Sequence, residues 1–202
     1  MAFDVIKIDR SILMKVEDDP YNTLCFIYQL TKLGHGLGGK VIVEGVESID
    51  LLEASVVLGV DGAQGYAIAK PLPASELETW LRQPLALPSA RAMPAAVSLL
   101  ALLAHVLVWE ESWLLLNEEA PESEYKQALS RSLLESRLPD DGALSPPAVA
   151  AKRELIQCAM THGLRSAEYV QARSGMVAML RASAKPDSST VPPLRPVSSL
   201  GK

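Results

Sequence analysis

Lys40-Val41-Ile42-Val43-Glu44-Gly45-Val46-Glu47 decides how the first part of this chain is read. A β-branched run ends abruptly in a carboxylate, a glycine and a second carboxylate. Continuous Val and Ile predict a strand buried on both faces, as in parallel sheets covered by helices. An acidic side chain where such a strand runs out lies at the sheet's carboxyl edge, where α/β folds place their ligands. Glu47, just ahead of Ser48-Ile49-Asp50, reads instead as charge opening the next helix, whose N-terminus favours a carboxylate. Glu44, still on the strand, is the candidate functional group.

On the N-terminal side, Val5-Ile6-Lys7-Ile8-Asp9 is another short strand ending in charge. Ser11 to Val16 has room for a turn or two of helix. Asp18-Asp19-Pro20 starts a longer one, with proline where its missing N–H costs nothing. Leu24, Ile27, Tyr28, Leu30 and Leu33 then recur at helical spacing to His35, and Gly34, Gly36, Gly38 and Gly39 stop the helix. On the C-terminal side, Ser48 to Leu58 is helical and Gly59 caps it. Val60 to Ala63 leads into Gln64-Gly65-Tyr66 as a third strand. Lys70-Pro71-Leu72-Pro73 is a rigid stop, and Ala74-Ser75-Glu76 opens a helix through Leu77, Trp80 and Leu81.

The order is β-α-β-α-β-α, with right-handed crossovers expected. Lys7 and Asp9, then Glu44, then Gln64 stand at the strand ends and converge on one rim, the arrangement of barrel enzymes. The expected fold class is therefore α/β: a partial (β/α) barrel of three parallel strands with helices, followed by a small α-helical bundle. Three strands do not close a barrel. Alone they would leave two unpaired edges and an uncovered inner face.

Acidic residues outnumber basic ones, 24 to 19, for a net charge of -5. That balance argues against broad binding to a nucleic acid polymer, but not against one small nucleotide in a pocket. Cys25 and Cys158 make no disulfide framework, which fits a reducing cytoplasm. The N-terminus runs straight into Phe3-Asp4-Val5-Ile6, without the pattern of a signal peptide. The most apolar window, Ala95 to Trp109, is shorter than the ~20 residues of a spanning helix and contains His105. Glu110 and Glu111 follow at once, so a buried or partner-facing helix is expected there rather than a membrane anchor.

Phe3-Asp4-Val5-Ile6-Lys7-Ile8-Asp9-Arg10-Ser11, Val43-Glu44-Gly45-Val46-Glu47, Ala63-Gln64-Gly65-Tyr66 and Lys70-Pro71-Leu72-Pro73 together resemble the last third of an EAL domain, over residues 2–82. That family is a modified (β/α) barrel that hydrolyses the bacterial second messenger cyclic di-GMP to its linear dinucleotide with two Mg²⁺ or Mn²⁺ ions. The resemblance implies metal-assisted phosphodiester hydrolysis, in which the cations acidify a bridging water and neutralise phosphate charge. Lys7 matches the family lysine beside the attacking water, where a fixed ammonium offsets anionic charge as it builds. Glu44 matches the glutamate that supports the metal cluster, directly or through a water. Gln64 matches the glutamine lining the same site, and Asp9 is assigned to holding its strand end in place.

In the family, the Glu-Ala-Leu signature, an asparagine and a glutamate on the following strands, and an Asp-Asp pair all precede these motifs. No Glu-Ala-Leu tripeptide occurs in residues 1–82. One glutamate and one lysine cannot hold two hard cations that each take about six oxygens. Little or no phosphodiesterase activity is therefore expected of this chain alone. It reads as a C-terminal fragment: a truncated gene, a miscalled start, or a piece of a longer signalling protein. Cyclic di-GMP is the implied ligand, and a second copy or another EAL-containing chain the implied partner.

Residues 83–94 carry Pro84, Pro88 and Pro94 and read as a linker. Residues 95–184 read as a helical bundle: Ala95 to Asn117, Ser123 to Leu138, and Ala148 to Ala184 as one long helix or two, with Gly163 and Gly175 as kink points. Residues 185–202, rich in Ser and Pro, read as a disordered tail. Cys158 and His162, four apart, share a helical face within reach of one metal, and His105 is the third candidate zinc ligand. These helices faintly resemble the chemoreceptor zinc-binding domain. That domain expects a further cysteine in the middle helix, where only Ser130, Ser132 and Ser136 stand, and a histidine in place of Cys158. A degenerate, structural bundle is favoured over an intact zinc site, and its apolar stripes also suit dimerisation. The competing function is a non-catalytic signalling remnant, acting as a sensor or interaction module through this helical half.

Overall fold

A computed structural model describes residues 4–82, 97–116, 122–136 and 138–183. The expected linker at 83–94 and the expected tail at 185–202 lie outside the described residues. β1 (Val5–Ile8) is followed by α1 (Arg10–Leu13), a 3-10 turn (Met14–Val16) and α2 (Pro20–Gly36). Then come β2 (Lys40–Glu44), α3 (Ile49–Val57), β3 (Gly62–Gln64) and α4 (Ala74–Leu81). The second half contains α5 (Leu99–Leu116), α6 (Glu122–Glu135), α7 (Pro146–His162) and α8 (Ala167–Ser183). The described residues thus form a mixed α/β structure, mostly helical, around a three-stranded parallel sheet of order β1-β2-β3.

The sheet is dry on one face only. Val41 and Val43 are fully buried, whereas Lys40 is exposed and Ile42 and Glu44 are half-buried. The expectation that β2 is buried on both faces is corrected here. Side chains alternate across a strand, and a helical layer packs on only one side of these three strands. That side carries Ile6, Ile8, Val41 and Val43, with α2 packed on β1 and β2. The approach is close: a Cβ on Gly34 of α2 would meet Val41 Cγ2 at 2.5 Å.

The elements end where their cap residues stand. Asp19 caps α2 ahead of Pro20, and Ser48 Oγ accepts from the Leu51 N–H at 3.2 Å to cap α3. β3 stops at Gln64 instead of running on through Tyr66, because the chain turns at Gly65 against the backbone of Val46. Asp61, just ahead of β3, ties three elements together. Its Oδ2 accepts from the Val41 N–H and lies 2.8 Å from His35 Nε2 at the end of α2.

α5 is apolar around most of its circumference, so other elements must enclose most of it. Leu102, Leu103, Ala104, Val106 and Leu107 are fully buried. The helix packs against α3 and α2, and also against α6 and α8. At its start, Ser98 Oγ accepts from the Ala101 N–H, and Glu53 of α3 accepts from the Ser98 N–H at 3.2 Å. The apolar window is therefore the centre of the core. Among the described residues no helix is long and apolar enough to cross a membrane.

Residues 148–184 resolve as two helices. Gly163 ends α7 with φ +90°, while Gly175 lies inside α8. Tyr125 of α6 holds the break, its hydroxyl accepting from the Leu164 N–H at 3.0 Å. One continuous cluster of buried apolar side chains runs from Ile8, Val41 and Val43 through α5 to Leu155, Tyr169 and Met176.

Replacing Leu103 by Ala should cost about 2–5 kcal/mol in urea unfolding, with one transition reported alike by tryptophan fluorescence and by far-UV circular dichroism. Separate transitions would contradict a shared core. The Asp61 carboxyl sits below its usual 3.8, held there first by the Val41 N–H and then by His35. A depressed value means stability that is complete above the unfolded-state pKa and is lost as pH falls through the folded one. Asp61→Ala should therefore flatten the decline in stability below about pH 4, and an unchanged acid limb would rule the contact out.

Candidate functional site

Parallel register brings the strand ends together. Glu44, last in β2, stands opposite Gln64, last in β3, and Lys7 stands opposite Ile42. Partners in register point to the same side of a sheet, as do residues two apart on one strand. Lys7, Glu44 and Gln64 therefore share the uncovered face at the carboxyl edge. The Lys7 ammonium forms an ion pair with Glu44 Oε1. The pair is solvent-accessible, with the lysine side chain 54% and the glutamate 28% exposed. Exposed pairs add only about 0–1 kcal/mol to stability, so its value lies in placing charge at this edge.

The loops beneath these side chains lock one another. Gly45 follows Glu44 with φ +75°, and a Cβ there would run into the side-chain stem of Arg10. That space lets Arg10 reach across to Glu47 at 2.7 Å. The expected role of Glu47 as helix-opening charge is corrected: Ser48 caps α3 and Asp50 lies in its first turn, while Glu47 pairs with Arg10. Gly65 abuts the Val46 backbone, whose N–H donates to the Gln64 carbonyl and whose carbonyl accepts from the Ala67 N–H, each at 3.0 Å. Asp9 caps α1, with Oδ1 accepting from the Ser11 N–H at 2.8 Å. The Ser11 side chain first, and then its N–H, hold the Asp9 carboxyl below the usual range. Reasoning from strand ends does not reach Arg10, because it lies two residues past the strand and acts sideways on the next loop.

The carboxylates at this edge are already engaged: Glu44 by Lys7, Glu47 by Arg10, Asp9 by Ser11. Among the described residues no group of three or more His, Cys, Asp or Glu is placed to hold a metal ion. The residues present therefore do not by themselves fit a two-cation cage. The zinc candidates are not gathered into such a group either. His105 is buried in α5, Cys158 is half-buried in α7, and His162 is exposed at the end of α7.

The edge built from Lys7, Glu44 and Gln64 lies inside a stretch that known proteins share. Residues 1–71 match the EAL domain. A cyclic di-GMP phosphodiesterase of Pseudomonas aeruginosa, RocR, is 37% identical over 71 residues, which cover 35% of this chain and 18% of that protein. A second cyclic di-GMP phosphodiesterase of the same organism is 32% identical over 83 residues, 41% of this chain and 14% of that protein. An uncharacterised protein of Sinorhizobium fredii is 38% identical over 80 residues, 40% of this chain and 10% of that protein. The matched part thus spans between a tenth and a fifth of these relatives. No solved structure matches the chain.

Gly45→Val should destabilise the fold by roughly 1–3 kcal/mol from backbone strain alone. Adding Arg10→Ala, which removes Cγ and Cδ but keeps Cβ, should recover some of the part that comes from the clash. Equal losses in the single and double variants, measured by denaturant midpoint, would show that Arg10 does not occupy that space.

Proposed function

We propose that residues 1–82 supply the Lys7, Glu44 and Gln64 portion of an EAL-type cyclic di-GMP phosphodiesterase site. The observation that carries this reading is the pairing of Lys7 with Glu44, beside Gln64, on an uncovered sheet face within the EAL match. A phosphodiester entering at this edge would meet a fixed ammonium, which offsets the negative charge that grows on phosphate during attack. The Glu44 carboxylate accepts a hydrogen bond from water and orients it. The Gln64 amide both donates and accepts, and so fits a phosphate or a guanine edge. Divalent-metal catalysis at this edge requires carboxylates from strands other than β1, β2 and β3.

On this reading the chain alone hydrolyses little or no cyclic di-GMP, and a complete site forms only when a longer chain or an EAL-containing partner closes the barrel. The setting is the bacterial cytoplasm, where the second messenger is made. On this reading α5 serves the segment by packing against α2 and α3.

Two measurements test the proposal. Incubating the chain with Mn²⁺ and cyclic di-GMP should yield no linear dinucleotide above background; turnover would overturn the predicted inactivity. Grafting residues 4–82 in place of the corresponding strands of an active EAL phosphodiesterase should preserve activity. Within that chimera Lys7→Ala or Glu44→Gln should lower kcat about 10²-fold or more. Full activity in either variant would remove that residue from the site.

A further inference from the structure

A short connection leads from the carboxyl edge into α2. Residues 9–19 leave the end of β1, pass through α1 and the 3-10 turn, and enter α2 at Pro20. They include Asp9 and Arg10, which cap α1 and grip Glu47 at the edge. From the other side this connection is met by α8. Arg181 donates to the Asp18 carbonyl. In the first turn of α2, Arg173 Nη1 donates to the Tyr21 hydroxyl at 2.8 Å, and its guanidinium lies 3.9 Å above the centre of the Tyr21 ring.

The partner that fixes this meeting is Glu110, a carboxylate 3% exposed within apolar α5. It is satisfied from two directions at once. The Tyr21 hydroxyl donates to Oε2 at 2.7 Å, the Tyr169 hydroxyl to Oε1 at 2.5 Å, and Arg173 to Oε2 at 3.0 Å. Burial, and then the Glu110 charge, push both phenols far above their ordinary range, so they remain donors. A buried carboxylate stripped of such partners is strongly destabilising. Only an arrangement with the start of α2 and the face of α8 both against Glu110 meets its needs.

We infer that α8 is a clamp on the β1–α2 connection, through which residues 167–183 position the sheet edge bearing Lys7 and Glu44. Arg173 and Arg181 are positioning residues on this account, acting on the edge through Tyr21 and Asp18. The inference rests on the proposed function only in calling that edge a site; its geometry stands without any ligand.

Amide hydrogen exchange on the full chain tests the clamp. Arg181→Gln removes an exposed contact and leaves the core intact; Tyr169→Phe keeps the ring and removes one donor from Glu110. Both should speed exchange about tenfold or more across residues 10–19 and at Val46, whose N–H closes the edge onto Gln64. Leu52 of α3 and Leu102 of α5 should keep their protection. Acceleration confined to α8, or absent, would overturn the clamp, because a merely structural contact would loosen α8 alone. Should Tyr169→Phe unfold the whole chain, Arg181→Gln decides the matter: uniform acceleration there also overturns it. Loss of the phosphodiesterase reading in the chimera would leave these exchange rates unaffected.

Discussion

A helix apolar around most of its circumference can persist in water only if other elements enclose it, and α5 imposes that demand on this molecule. Its 18 residues run between α2 and α3 on one side and α6 and α8 on the other. Burying each large apolar side chain contributes about 1.5–3 kcal/mol, and Leu102, Leu103 and Leu107 are all fully buried. The EAL-like stretch and the helical half therefore share a centre. The single carboxylate buried in that helix, Glu110, adds selection to this non-directional attraction. Apolar contact says that α5 must be covered, whereas the donors from Tyr21, Tyr169 and Arg173 say by what.

The sheet obeys the opposite constraint. Three parallel strands have one side covered by helix and the other side turned to solvent, and the polar residues collect on the solvent side. An exposed ammonium beside a carboxylate is poor as a source of stability but well suited to receive an anion. The ammonium is a compact point charge, and Glu44 holds it at the edge. The edge is nevertheless held firmly from below, because Gly45 admits Arg10 and Gly65 admits Val46.

Much of this was legible in the residues. Proline at the start of α2, Ser48 ahead of α3 and Gly59 after it all mark boundaries through their own backbone chemistry, which needs no distant partner. Lys7, Glu44 and Gln64 were legible as a group because parallel strands of similar length bring their ends to one edge. What failed was whatever depended on a neighbour. A Val/Ile run is the same whether one face or two are covered, so β2 was read as enclosed. Glu47 looked like helix-opening charge until Arg10, far away in sequence, was placed beside it. The composition of α5 announced burial but not its neighbours, and the bond from Glu110 to Tyr21 spans 89 residues.

The free flank of β1 has a consequence for the molecule at high concentration. Among the described residues, that strand has a neighbour on one side only, in the order β1-β2-β3, and Val5 is 45% exposed. Backbone groups along such a flank are a template on which an extended segment of another molecule can be laid down. The ammonium group of Lys7 on β1 guards against this, because a like strand stacked in register would bring equal charges together. Salt that screens this charge, or neutralisation of Lys7, would weaken the guard and favour strand-to-strand association between molecules.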